Sequence, residues 1–229
     1  MASREDLKEE MMKLGADSDK IQIIQHGVDT QKFNPQRGRE FRNRLGLQGV
    51  PVVISTRKLR PIYNVEMLIR AIPLVLEHTP QASFIIAGDG EQKKYLERLV
   101  TSLGVAENVR FVGWVRHDEL PNYLASADIY TSTSLSDSES VSLEEAMACE
   151  VSPVVTEIPA NRAWIKDGEN GLLVPIDDIQ AMVDRIVYLI RNKEARERLG
   201  KAGRKTIKER AEYEEEMSKM GKLYESLVK

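Results

Sequence analysis

Short apolar runs alternating with amphipathic helical patterns constrain this chain more than any other feature. Residues 21–25 (IQIIQ), 51–55 (PVVIS), 83–87 (SFIIA), 109–112 (VRFV), 128–132 (DIYTS), 153–156 (PVVT) and 171–174 (GLLV) read as short buried strands. Helical patterns over 64–77, 91–103, 118–125, 140–148 and 178–192 fall between them. Such alternation predicts an α/β fold, a Rossmann-like parallel sheet with helices on both faces. From about residue 193 the chain turns helical and charged, adding C-terminal helices. The last of these carries Tyr213, Met217, Met220, Leu223, Tyr224 and Leu227 at helical spacing, an amphipathic stripe. The length of 229 residues fits one such domain, 1–229. Residues 4–14 read as a helix belonging to something earlier. The strand expected at 21–25 follows it without a β-α unit of its own, as in a domain cut from a longer polypeptide.

Composition narrows the function. Formal net charge is −3, with acids and bases mixed along the chain. No basic face is evident, which argues against nucleic acid as a partner. The single Cys149 excludes an intramolecular disulfide and a cysteine metal cluster. His26 has no second histidine or carboxylate cluster near it, so no metal site is expected. No apolar run approaches the roughly 18 residues of a membrane span. The N-terminus, MASREDLKEE, is charged where a signal peptide would be apolar. A cytoplasmic protein is the expectation.

The chemistry concentrates where strands end, which is where parallel sheets bind ligands. Residues 131–145 (TSTSLSDSESVSLEE) carry a strand end, a serine-rich loop and a helix start. Free N–H groups at a helix N-terminus accommodate phosphate, so Ser140, Val141 and Ser142 are candidate phosphate contacts. Asp137 and Glu145 lie eight positions apart around that start. Over a mostly helical path this is about 12 Å, wider than the roughly 5–9.5 Å of hydrolytic carboxylate pairs. Separate roles on one ligand fit better; a helix-start acid favoured by the macrodipole is the plain alternative for each. Arg57 and Lys58 follow the second apolar run as a phosphate clamp or as solvated surface charge. Asn64 is a plausible N-cap beyond them. Gly27 permits a turn or a close approach. Gly88-Asp89-Gly90 lacks the full dinucleotide fingerprint, which disfavours NAD. Trp114 and Val115 offer a surface for a base, or rim packing.

Taken together these pieces resemble the donor-binding half of family 4 glycosyltransferases, retaining enzymes of GT-B architecture. The resemblance runs from about Ile21 to Val228. In order it uses HGVD with F-x-P, TRKLRPIYN with LIRA, IIAGDGE, VRFVGWV, the acid before EAMAC, and DGENGLLV. It implies a C-terminal domain that binds a nucleotide diphosphate sugar, beside a missing N-terminal domain that binds the acceptor. Residues 1–20 and 205–229 would be helical segments facing that partner. The reaction implied is transfer of a hexose to an acceptor hydroxyl, with no metal cofactor, and without turnover by this domain alone.

The resemblance gives roles residue by residue. Arg57 corresponds to the arginine that neutralises the diphosphate, and it and Asp137 are the candidate catalytic residues. Tyr63 stands where a second cation is common. Gly27, Lys58, Gly88 and Gly90 border the donor, and Trp114 and Val115 the base. Asp137 corresponds to the acid that contacts the sugar and Glu145 to the acid that holds the ribose. Ser140, Val141 and Ser142 open the helix that meets the diphosphate. Ser138, Glu139, Glu144, Glu150, Ala160 and Ala163 depart from the pattern. The three glutamates read either as a polar patch on surface bared by the absent partner, or as marks of weakened donor binding, because like charge near phosphate is unfavourable. The rival reading is a non-catalytic or engineered scaffold that keeps the fold and has lost its donor. Peripheral membrane contact by a longer protein is left open.

Overall fold

The computed structural model describes residues 2–228, leaving aside the side chains of Arg39 and Val228. Met1 and Lys229, the ends of the expected terminal segments, lie outside the described residues. Six strands form one parallel sheet: β1 (Val52–Ser55), β2 (Ser83–Ala87), β3 (Val109–Gly113), β4 (Ile129–Ser132), β5 (Ser152–Thr156) and β6 (Leu172–Val174). Their order is β3-β2-β1-β4-β5-β6. The chain winds outward from β1 to β3, then returns to the far side of β1 and winds the other way. This is the doubly wound Rossmann-like topology, with its switch point between β1 and β4.

Ten helices are described: α1 (Glu5–Lys13), α2 (Gly38–Arg44), α3 (Val65–His78), α4 (Lys93–Ser102), α5 (Leu120–Ala125), α6 (Val141–Ala148), α7 (Pro159–Arg162), α8 (Ile179–Arg191), α9 (Lys193–Arg210) and α10 (Tyr213–Val228). Strand side chains point alternately to opposite faces, and this sheet buries both. Val53, Phe84, Ile86 and Val154 pack with Leu68, Ile72, Leu96 and Met182 of α3, α4 and α8. Val52, Ile54, Ile85 and Val155 pack with Leu143, Met147 and Ile207 of α6 and α9 on the other side.

One expected strand is absent. Residues 21–25 make only an isolated bridge, between Ala2 and Ile23. Their backbone is satisfied elsewhere: the Ile24 N–H donates to the Ala2 carbonyl at 3.0 Å, and the Gln25 N–H to the Glu216 carboxylate at 2.8 Å. The β-branched run therefore crosses under α10 instead of joining the sheet. Asn64 does stand at the N-cap of α3, but in the left-handed region (φ 44°) and without a capping bond from its side chain. That side chain donates instead to Asp177 at 2.7 Å.

Candidate functional site

The loops after β1, β2, β3 and β4 converge at the switch point. Arg57 sits two residues beyond β1 and is 8% exposed. Its Nη1 donates to Ser142 Oγ at 2.8 Å, and its Nη2 donates to the Asp137 carboxylate. The guanidinium lies over the Tyr63 ring, 4.3 Å from its centroid. Its Nε has no partner among the described residues. Ser142 Oγ is also 2.8 Å from the hydroxyl of buried Tyr130, whose ionisation burial pushes up. Strand β4, helix α6 and the β1 loop thus lock one arginine at the start of α6.

Helix α6 begins there. The N–H groups of Leu143 and Glu144 both return to the Ser140 carbonyl, at 2.8 and 3.1 Å. Those of Val141 and Ser142 precede the ladder and are geometrically placed for an anion. Ser140 contributes backbone only, since its hydroxyl donates to Asn161 Oδ1 at 2.6 Å.

Beside this start lies a cavity of about 450 Å3 lined by Lys58, Gly88, Gly90, Trp114, Val115 and Glu145, together with Thr56, Arg60, Asp89 and His117. Trp114 is 72% exposed, presenting an open ring face at the rim. The two glycines are required by packing: a Cβ on Gly88 would stand 2.2 Å from the Arg57 carbonyl oxygen, and one on Gly90 2.4 Å from that of Leu59. The loops after β1 and β2 can meet only without side chains there, which shapes the cavity floor. Glu145 is 6% exposed, and burial raises its carboxyl pKa to about 7, opposed by Lys32.

Of the expected site residues, Lys58, Gly88, Gly90, Trp114, Val115 and Glu145 line this cavity, while Arg57, Tyr63, Asp137 and Ser142 cluster at the start of α6. Gly27 belongs to neither group. It has φ 76° and lies where a Cβ would meet Tyr213 Cα of α10 at 2.9 Å, so it serves the docking of that helix. Glu139 is directed elsewhere too, into a hollow of about 700 Å3 between α1 and α10 that it lines with His26, Met11, Met217 and Met220. Burial raises its pKa.

Glu144 corrects the surface-patch expectation. It is 0% exposed, neither carboxyl oxygen has a partner among the described residues, and burial pushes its pKa up to about 8, with Glu139 and Glu145 adding to the rise. The reason is tertiary: α6 packs against β4, β5, α5 and α9, and its residues from Leu143 to Ala148 are all buried.

Three participants escape the sequence reading. His117 Nε2 lies 3.1 Å from Glu145 Oε1, Lys32 Nζ lies 2.7 Å from His117 Nδ1, and buried Arg4 donates to the Ser138 carbonyl. Only the rarity of histidine in the chain pointed at His117; nothing marked Lys32 or Arg4. Among the described residues no three His, Cys, Asp or Glu side chains gather as a metal site. No described helix is long and apolar enough to cross a membrane.

A doubly wound sheet with a cavity and a helix N-terminus at its switch point defines a Rossmann-type domain. The chain belongs to the family of glycosyl transferases group 1, whose model matches residues 38–206. It is 30% identical over 193 residues to a GDP-mannose-dependent alpha-(1-6)-phosphatidylinositol monomannoside mannosyltransferase of Mycolicibacterium smegmatis, covering 80% of this chain and 50% of that protein. An uncharacterized glycosyltransferase of Methanocaldococcus jannaschii is 32% identical over 190 residues, covering 79% and 48%. The chain thus spans about half the length of these curated relatives. Among solved structures, Anabaena HepE in complex with UDP and glucose superposes with a TM-score of 0.87 at 21% identity, over 98% of this chain and 62% of HepE. The C-terminal domain of the group 1 glycosyl transferase LpcC from Francisella tularensis gives 0.74 at 25% identity, over 80% of this chain and 98% of that domain. The fold is that of the C-terminal domain of GT-B glycosyltransferases.

Proposed function

We propose that this chain is the donor-binding half of a retaining glycosyltransferase that moves a hexose from a nucleotide diphosphate sugar to an acceptor hydroxyl. The observation that carries the reading is Arg57 held at the start of α6, next to a cavity that ends on Glu145. A diphosphate there would meet the guanidinium and the leading N–H groups of α6, and its nucleoside would extend along Gly88, Gly90 and Trp114 toward Glu145. The relatives support it: one is named as GDP-mannose-dependent, and HepE is seen with UDP and glucose.

In transfer, negative charge grows on the leaving diphosphate. Arg57 and the dipole of α6 are fixed in place to stabilise that charge, so the step requires no metal. Asp137 lies against Arg57 and is the acid placed to meet the sugar. The acceptor would come from an N-terminal domain seated over the hollow between α1 and α10, so the isolated chain binds donor without turning it over.

One observation favours the scaffold alternative: Arg57 already holds a carboxylate, Asp137, which competes with phosphate. Calorimetric titration with UDP and GDP decides between them. The donor reading expects a dissociation constant from about tens of micromolar to about a millimolar for half a cleft. Arg57→Ala should weaken it about tenfold to a hundredfold, the scale of a charge-assisted hydrogen bond. Absence of binding to wild type by either nucleotide would leave the scaffold reading.

A further inference from the structure

The cavity wall at Glu145 is built in two layers. Glu145 supplies the inner one, and the only side chain bonded to its carboxylate among the described residues is His117. Behind His117 stands Lys32, 2.7 Å from Nδ1. An ammonium group can only donate. Nδ1 must therefore be the bare nitrogen, and the proton sits on Nε2, facing Glu145. The imidazole is further held by Phe33, whose buried ring centroid lies 5.3 Å away. Lys32 Nζ stands on the same side of that ring, 5.8 Å from its centroid. An exposed histidine–carboxylate pair ordinarily contributes little. Here the carboxylate is buried and the histidine, with its side chain 65% exposed, is fixed from behind by a cation and an aromatic ring.

We propose that His117, locked in its Nε2–H tautomer by Lys32, is the positioning residue that turns the Glu145 carboxylate toward the vicinal hydroxyls of a bound nucleotide's ribose. The inference rests on the donor-site reading. His117 occupies one lone pair of Oε1 and so fixes the carboxylate plane. Oε2 and the rest of Oε1 are left to accept from two neighbouring hydroxyls, which a freely rotating carboxylate meets less often. His117 also lines the cavity itself, together with Trp114 and Val115.

The test pairs nucleotides that differ only in those hydroxyls. UDP and GDP, each with its 2′,3′-dideoxy counterpart, are titrated into wild type, His117→Ala, His117→Gln and Lys32→Met. His117→Ala should weaken a ribonucleotide about threefold to tenfold, the reach of one net hydrogen bond. It should leave the dideoxy form within about twofold, because that form offers nothing for the carboxylate to accept. His117→Gln, whose amide N–H stands near the place of Nε2–H, should recover most of the loss. Two-bond proton–nitrogen spectra of the imidazole in wild type should show Nε2–H, and in Lys32→Met a shift toward a mixture of tautomers. Equal losses for ribo and dideoxy nucleotides, no loss at all, or an Nδ1–H imidazole in wild type would overturn the role of His117 while the donor site stands. Failure of wild type to bind either ribonucleotide overturns the donor reading, and this inference with it.

Discussion

A carboxyl group with no partner inside a packed helix titrates late, and Glu144 is such a group. Burial holds its pKa at about 8, above the usual carboxylate range. The folded state therefore keeps a proton that the unfolded chain releases near pH 4.5. The contribution to stability is whole below that pH and is lost as pH rises through about 8, at roughly 1.4 kcal/mol per pH unit between them. Replacing the carboxyl by a hydrocarbon of similar size removes the penalty. Glu144→Leu should be more stable than wild type by urea denaturation, with a gap that widens from pH 5 to pH 8; a constant gap would mean that the carboxyl reaches water. Glu145 titrates in the same direction, to about 7, but with a readout in binding. If Glu145 holds the ribose as proposed, only its ionised form accepts from both hydroxyls. The groups around it are His117 in direct contact with Lys32 behind it, Tyr130 from β4, Glu144 on its own helix and Cys149 at that helix's C-cap. Under the donor reading, nucleotide affinity should rise between pH 6 and 7.5 and flatten above it, and by calorimetry the rise should be larger for the ribonucleotide than for the dideoxy form, which shares only the ionisation of the terminal phosphate at about pH 6. The sequence made Arg57, Ser142 and Glu145 legible because each stands at the end or beginning of an element whose pattern is visible. His117 and Lys32 lie in loops 85 positions apart and share no periodicity, so only the folded chain brings them together.

At the scale of elements, helix α6 ends in a Schellman arrangement. The Glu150 N–H bonds the Met147 carbonyl at 3.0 Å and the Val151 N–H bonds the Ala146 carbonyl at 3.1 Å. That closure needs a left-handed residue, and Glu150 supplies it at φ 61°, where glycine carries no steric penalty. Its carboxylate is 3.8 Å from Arg204, a long and partly exposed contact that offsets little of the strain. Glu150→Gly should therefore stabilise the fold by about 1 kcal/mol, read as a rise in the thermal midpoint; no rise would give the Arg204 contact more weight than its length suggests. Departures from a family pattern thus separate by element. Glu150 answers to a helix cap, Glu144 to the α6–α9 contact and Glu139 to the hollow beside α10. Elements themselves were largely readable, since a strand buried on both faces reads as an unbroken apolar run and α3, α4 and α8 each keep one apolar stripe. The run at 21–25 had the same look and a different fate. Its partners, Ala2 and Glu216, lie at opposite ends of the chain, a pairing that no local pattern announces.

For the whole molecule, both terminal helices meet on one side, over residues 24–30. The Val28 N–H donates to the Ala211 carbonyl at 2.8 Å and the Tyr213 N–H donates to the Val28 carbonyl at 3.2 Å. Glu216, 1% exposed, accepts from the Gln25 N–H, and Glu212 accepts from the Thr30 hydroxyl at 2.6 Å. Anchoring stops after the first turn or so of α10. Tyr224 and Leu227 farther along are 61% and 72% exposed, an apolar stripe with nothing packed on it. Under the proposed function this side is where an acceptor-binding domain would close the cleft. Retaining transfer requires donor and acceptor oriented together with water kept out, and this chain supplies one wall. The purified chain should then transfer sugar to no acceptor and hydrolyse donor slowly at most, as followed by release of nucleoside diphosphate. Hydrogen exchange should be slow through β1, β2, β4 and β5, intermediate over 211–217, and fast over 5–15 and 220–228, beyond the hydrogen bonds that hold Ala2 and Arg4. Efficient transfer by the chain alone would mean that the site is already complete within it. Slow exchange along all of α10 would mean that its exposed stripe is covered in solution, and a concentration-dependent mass by light scattering would then identify the cover as a second copy.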